Sequence, residues 1–307
     1  MGQVRHFLTI ADTPAPDIRR TLHRAVSLRS RPEPTLLSRK TLLCMFEKPS
    51  LRTRVSFEQA MRKLGGEAMS MAASEFGIGG RESPHDIAKV ISSMVDAVMA
   101  RVREHQTVDL LAAASAVPVI NGLSDYAHPA QALADALTII DEFSPGNVAG
   151  VAGRTVAFVG DGNNVARSLG AICGKLGMNF NACSPPGYEL EQDWLGRVRS
   201  QAEGCTIQLV DDPTEAVLHA DVIYCDTFVS MGQEGESAER YNAFKRFQVN
   251  SELVEQAPRQ AIVLHCLPAH RGTEITDEVM DGPRSRVFPQ AKNRMDAQMG
   301  LLAELLG

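Results

Sequence analysis

No apolar run in this chain approaches the ~20 residues that span a bilayer, so no segment reads as a membrane span. Residues 1–20 hold no apolar core of a secretory signal, and none is expected. Gly2 raises a myristoylation check, but His6 stands where that motif needs Ser or Thr. There is no CxxC pair and no histidine cluster. Cys44, Cys173, Cys183, Cys205, Cys225 and Cys266 are scattered, which argues against zinc or any other metal site and for buried, reduced thiols in a cytoplasmic protein. Basic residues are not in excess. A net charge of −6 gives no electrostatic reason to expect nucleic acid or membrane as a partner. Low-complexity segments and internal repeats are also missing.

What is present is an ordinary soluble composition, 44% hydrophobic and 22% charged over 307 residues, enough for two domains. A helix is predicted over residues 15–30, with Ile18, Leu22, Ala25 and Val26 on one face. Strands are predicted at Thr41 to Phe46, Glu67 to Ala72, Ala97 to Arg101 and Val117 to Asn121, with helices from Val55 and from Pro84 between them. The glycine-rich stretch from Ser74 to Ser83 reads as a mobile loop. Ser144-Pro145-Gly146 is the candidate linker. Alternation then restarts with strands at Thr155 to Val159, Asn179 to Ala182, Thr206 to Val210, Val222 to Cys225 and Ala261 to Leu264. The pattern is α/β: two doubly wound parallel-sheet domains, residues 1–142 and 143–288. A last helix from Ala291 to Leu306 (residues 289–307) crosses back to the first.

The segment from Cys44 to Glu58 carries the first chemistry. A buried strand ends at Pro49, and a helix opens at once. Ser50, Leu51, Arg52 and Thr53 therefore sit where free backbone N–H groups and the positive end of the macrodipole favour an anion. Arg54 reads as a solvated-face residue. Arg101 ends its strand at the edge where open α/β sheets bind ligands; alone it reads equally well as a salt-bridged surface residue.

Pro129 places His128 at a helix N-terminus, with Gln131 one turn on, facing the same way. Such a histidine is biased toward its neutral form and suits donation to a carbonyl oxygen; a simple capping histidine is the alternative. Gly160-Asp161-Gly162-Asn163-Asn164-Val165 follows a strand like a dinucleotide fingerprint, but Val165 replaces the third glycine, which argues against NAD. No cofactor is expected. Asp226 ends a strand ahead of the polar Ser230-Met231-Gly232 loop, a place to receive an ammonium group. His265-Cys266-Leu267-Pro268 follows another strand; a core cysteine is the ordinary alternative there.

Ser50-Leu51-Arg52-Thr53-Arg54 resembles the Ser-Thr-Arg-Thr-Arg carbamoyl phosphate motif of the aspartate/ornithine carbamoyltransferases, with Leu51 in place of threonine. His128-Pro129-Ala130-Gln131, the Gly160-to-Asn164 segment, Asp226 to Gly232, His265 to Pro268 and Phe288 to Arg294 are similar to further motifs of that family. The resemblance thus spans nearly the whole chain. It implies that Ser50, Leu51, Arg52, Thr53, Arg101, His128, Gln131, Cys266, Leu267 and Arg294 bind carbamoyl phosphate. Asn164, Asp226, Ser230 and Met231 would bind ornithine, and Cys266, Arg101 and His128 would be catalytic. His265 and His270 are expected to be structural. A cytoplasmic homotrimer is implied, with Gly77 where relatives offer a glutamine or histidine across a subunit boundary; either Arg81 or another residue substitutes there, or the neighbouring subunit contributes less.

The expected reaction is attack of the ornithine δ-amino group on the carbamoyl carbon, with phosphate leaving and the Ser230-Met231 loop closing. A related enzyme acting on putrescine or an acylated ornithine, a non-catalytic paralogue and a Rossmann oxidoreductase are the competing readings. The expectation is sharp: Arg52, Arg101 and Arg294 must converge rather than point into separate regions of solvent.

Overall fold

The computed structural model describes residues 4–76, 82–229 and 233–307. Gly2, Gly77, Arg81, Ser230, Met231 and Gly232, which carry expectations above, lie outside the described residues. The chain forms two compact units, residues 1–134 with 293–307, and residues 135–292. The divisions fall inside two helices, Pro129–Phe143 and Val287–Leu306.

In the first unit, strands β1 (Thr41–Phe46), β2 (Glu67–Ala72), β3 (Ala97–Arg101) and β4 (Val119–Leu123) form a parallel sheet in the order β2-β1-β3-β4. Phe7 adds a parallel bridge to Ile120 on β4. The central strands are apolar on both faces, as a doubly covered sheet requires. Leu43, Met45, Val98 and Ala100 pack with Ile87, Val108 and Leu111 from the helices Pro84–Ile91 and His105–Ala114. Each buried Leu, Met, Val or Ile side chain among them contributes roughly 1.5–3 kcal/mol. β2 is an outer strand, and only Ala68, Ser70 and Met71 on it are partly covered.

In the second unit, β5 (Thr155–Val159), β6 (Asn179–Cys183), β7 (Ile207–Leu209), β8 (Val222–Cys225) and β9 (Ile262–His265) form a parallel sheet in the order β7-β6-β5-β8-β9. In each sheet the winding direction reverses between the two central strands, β1 and β3 in one and β5 and β8 in the other. Ligands of open α/β sheets bind at the carboxyl ends of such strands.

The amino ends of these pairs are closed by the same device in both units. Asp96 accepts hydrogen bonds from Lys40 Nζ at 2.9 Å and Thr41 N at 2.8 Å. Asp221 accepts from Arg154 at 2.8 Å and Thr155 N at 2.9 Å. A residue before one central strand thus ties down the start of the other, in both halves of a chain without any repeat in sequence.

Some elements differ from their expected bounds. β4 starts at Val119, not Val117: Pro118 has no N–H for a ladder, and Val117 N and O both bond the Ser115 hydroxyl in a turn. The last helix starts at Val287, not Ala291. Pro289 falls in its first turn, where a missing N–H costs nothing. All six cysteines are free, but Cys205 and Cys266 are only partly buried.

Candidate active site

In the first unit the turn after β1 is pinned to the end of β3. Glu47 N donates to Arg101 O at 2.9 Å, and the Glu47 carboxylate accepts from Arg103 N at 2.7 Å. This sets Ser50 as the N-cap of the helix Leu51–Lys63, its side chain accepting from Thr53 N. Leu51, the departure from the family motif, is 77% exposed. Arg52 is half-buried and Thr53 fully buried.

Two guanidinium groups meet at Thr53. Arg101 donates to Thr53 Oγ1 at 3.3 Å, and Arg294, from the helix Val287–Leu306, donates to the same oxygen at 2.8 Å. Arg294 also donates to Gln131 Oε1. Arg294, Gln131 and His128 are all buried. Burial, and then the charges of Arg294 and Arg101, hold the His128 imidazole well below its ordinary pKa. The neutral form was expected from the helix end; in the structure desolvation is the larger cause. Two cations and a helix N-terminus around one hydroxyl create a strongly positive locus within an acidic chain, suited to a multiply charged anion.

In the second unit three strand ends converge. After β5, Asn163 caps the helix Asn164–Leu176, its Oδ1 accepting from Val165 N at 2.9 Å and Ala166 N at 3.1 Å. The Asn163 Nδ2 donates to Asp226 Oδ2 at 2.9 Å, and Cys266 Sγ donates to Asp226 Oδ1 at 2.9 Å. Asp226 is thereby held from both sides, with its residue 7% exposed. Asn164, the residue singled out in sequence, is the first helical residue and half-buried.

Gly162 N donates to Tyr188 O, and a Cβ at Gly162 would lie 2.6 Å from the backbone of Glu189 and Leu190. The space a pyrophosphate would take beside that glycine is filled by the protein's own chain.

After β9, Leu267 N donates to His265 Nδ1 at 2.9 Å, so His265 Nε2 carries the proton and faces Glu274 Oε1 at 3.3 Å. Leu267 itself has φ +59°, uncommon for a leucine. His265 N donates to Gln290, which in turn donates to Asp135. His270 is exposed and reaches Thr227 Oγ1. Asp226, His265 and Cys266 also bring three ligand-type atoms within 4.8 Å of one another, but both ring nitrogens of His265 are already engaged, by Leu267 N and by Glu274.

One residue of this half-site had no signal in sequence. Arg240, on the helix Ser237–Phe244, is 3% exposed and donates to Asp161 at 2.5 Å and to Phe228 O at 2.7 Å. Its guanidinium lies over the Tyr188 ring, 4.8 Å from the centroid. Despite this partner, burial pushes the Asp161 carboxyl up to about 6. Local patterning reads Arg240 as one more polar residue on a surface helix.

Residues 5–141 match the family described as aspartate/ornithine carbamoyltransferase, carbamoyl-P binding domain, and residues 152–305 match its Asp/Orn binding domain. The chain is 47% identical over 308 residues to an ornithine carbamoyltransferase of Anoxybacillus flavithermus, covering 98% of this chain and 96% of that protein. It is 48% identical over 274 residues to a protein of Pyrococcus furiosus named ornithine carbamoyltransferase, anabolic, covering 89% and 85% respectively. A solved structure of ornithine carbamoyltransferase from Pyrococcus furiosus superposes with a TM-score of 0.93 at 45% identity, over 99% of this chain and 97% of that one.

Proposed function

The chain belongs to the aspartate/ornithine carbamoyltransferase family, and from that premise we propose that it carries the carbamoyl group of carbamoyl phosphate to the δ-amino group of L-ornithine, giving L-citrulline and phosphate. The observation that carries the reading is the meeting of Arg101 and Arg294 on Thr53 at the mouth of a helix.

Ser50, Leu51, Arg52 and Thr53 take the phosphate through backbone N–H groups, hydroxyls and the Arg52 guanidinium. Arg101 and neutral His128 donate to the carbamoyl oxygen as charge builds there; each such donor is typically worth about 2.7–4 kcal/mol in the transition state. Gln131 and Arg294 orient the carbamoyl group, and the carbonyls of Cys266 and Leu267 accept from its amine. Asp226 receives the α-ammonium of ornithine, with Asn164, Ser230 and Met231 completing that subsite. The double grip on Asp226 by Asn163 and Cys266 supports this role, because it holds an acceptor ready in one orientation.

The nucleophile must be the free amine. An alkyl amine with a lysine-like pKa of about 10.4 is only about 0.1% neutral near pH 7.4, a cost of roughly 4 kcal/mol. Cys266 contacts the ornithine side chain in this reading and helps to orient the amine. Closure of the Ser230-Met231 loop excludes water, the competing nucleophile.

A homotrimer working in the cytoplasm, in the biosynthetic direction, completes the proposal. An exposed apolar set on the first unit, Leu51, Val55 and Met69, is consistent with burial against another copy. No described helix is long and apolar enough to cross a membrane. A product assay with purified protein, carbamoyl phosphate and a panel of L-ornithine, putrescine, N-acetylornithine and L-aspartate tests the substrate directly. Citrulline formed from L-ornithine, with little carbamoylation of the others, is the expected result. Preference for another amine, or no product at all, overturns the proposal.

A further inference from the structure

Arg294 reaches Thr53 and Gln131 only if the helix Val287–Leu306 is held at one rotation about its own axis. The helix Ala15–Ser30 supplies that hold along a single seam. At one end Arg29 Nε donates to Asp296 Oδ2 at 2.8 Å, and its NH2 group donates to Asn293 Oδ1 at 2.8 Å. In the middle, Gly300 lies against Thr21 and Ala25 so closely that a Cβ there would sit 2.3 Å from Thr21 O. At the far end Arg20 Nε donates to Glu304 at 3.3 Å.

Asn293 and Asp296 are three residues apart and share a helix face. Arg294 leaves the same turn about 100° round from Asn293. The planar fork of Arg29 therefore spans one face of the turn while Arg294 projects from another. Asp296 is 5% exposed and Arg29 25%, so the pair is shielded from most solvent screening.

We propose that Arg29 is a positioning residue for carbamoyl phosphate: it touches no substrate, and it fixes the turn that aims Arg294. The inference rests on the reading that Arg294 binds the carbamoyl group. A shift of about 1 Å in such a group is enough to lose on the order of a hundredfold in rate, so a loosened turn is read in binding even when the fold survives. Lysine keeps the charge at position 29 but has no fork to span both acceptors.

Steady-state kinetics on the full chain test this with Arg29→Met, Arg29→Lys, Arg294→Met and the Arg29→Met/Arg294→Met double variant, alongside thermal melts. Arg29→Met is expected to raise KM for carbamoyl phosphate about tenfold, with KM for ornithine at saturating carbamoyl phosphate within about twofold of wild type. Arg29→Lys should fall between the two proteins. In the Arg294→Met background the second substitution should add almost nothing, the signature of a residue that acts through another. If Arg29→Met does not fold, the lysine variant decides the question through the same KM ratio. A lowered melting temperature with an unchanged carbamoyl phosphate KM overturns the inference, and so does an equal effect in the Arg294→Met background. An unchanged KM in Arg294→Met overturns the assignment of Arg294 and this inference with it. A raised KM there, with both Arg29 variants at wild-type values, overturns this inference alone.

Discussion

Arg294 and Thr53 stand 241 positions apart in the chain, yet the guanidinium donates to the threonine hydroxyl at 2.8 Å, on the same oxygen that Arg101 reaches from β3. One small hydroxyl is the shared acceptor for two like charges. Removing it at constant shape should therefore cost more than an ordinary hydroxyl does.

Thr53→Val is the clean test of that relationship. Hydrogen bonds to charged groups are worth about 1.5–3 kcal/mol, so KM for carbamoyl phosphate should rise roughly ten- to a hundredfold. Thr53→Ser should recover most of the loss, because it restores the oxygen. Initial-rate measurements at saturating ornithine report both. Equal KM values for the valine variant and wild type would show that the hydroxyl does not order the arginines.

His128 gives a pH prediction whose sign follows from its burial. The folded imidazole stays neutral well below the ordinary pKa of 6.5, whereas in the unfolded chain it takes up a proton near that value. As pH falls below about 6.5 the unfolded state binds the extra proton and stability drops. Above it the contribution vanishes. Urea unfolding of wild type and His128→Gln between pH 7.5 and 5 isolates the effect. The wild-type curve should lose up to about 1.4 kcal/mol per pH unit more than the variant below pH 6.5. Parallel curves would mean that the imidazole protonates in the folded protein.

Much of the framework was legible because buried parallel strands announce themselves as short apolar runs. β1, β2, β3, β5 and β8 occupy the residues that patterning assigns to them. The misplaced ends have local causes: Pro118 and the Ser115 turn delay β4, and Pro289 is admitted to a first helical turn that apolar periodicity leaves unmarked. The individual site residues were legible through motifs at strand ends and helix starts. Their contacts were not, because a guanidinium on Thr53, or Arg240 on Asp161 across 79 positions, is decided by packing rather than by neighbours in sequence. Asn163 shows the limit at closest range. Motif resemblance points to Asn164, while the cap and the bond to Asp226 both belong to the residue before it.

That pair supports a split prediction. Asn163→Ala removes a helix cap worth about 1 kcal/mol and one of the two donors on Asp226. Both the melting temperature and the affinity for ornithine should fall. Asn164→Ala leaves the Asn163 cap in place and should raise KM for ornithine with the melting temperature nearly unchanged. Melting curves and ornithine saturation on the two variants separate the roles. If Asn164→Ala behaves like wild type in both assays, ornithine contacts belong elsewhere in the loop.

The proton on the nucleophile sets the last prediction. With an amine pKa near 10.4, the free-base fraction of ornithine grows about tenfold for each pH unit through the neutral range. If the bound amine must be neutral to attack, turnover should climb with pH and then level once the amine in the site is deprotonated. Cys266 is proposed to contact the ornithine side chain, so Cys266→Ala should lower turnover through lost orientation of the amine. The rise with pH should nevertheless persist, since the ionisation belongs to the substrate. Single-turnover rates from pH 6 to 9, with loaded carbamoyl phosphate, make chemistry the measured step. A flat wild-type profile under those conditions would mean that the proton leaves before binding or after attack. A rise lost in Cys266→Ala would move the ionisation from the amine to the thiol.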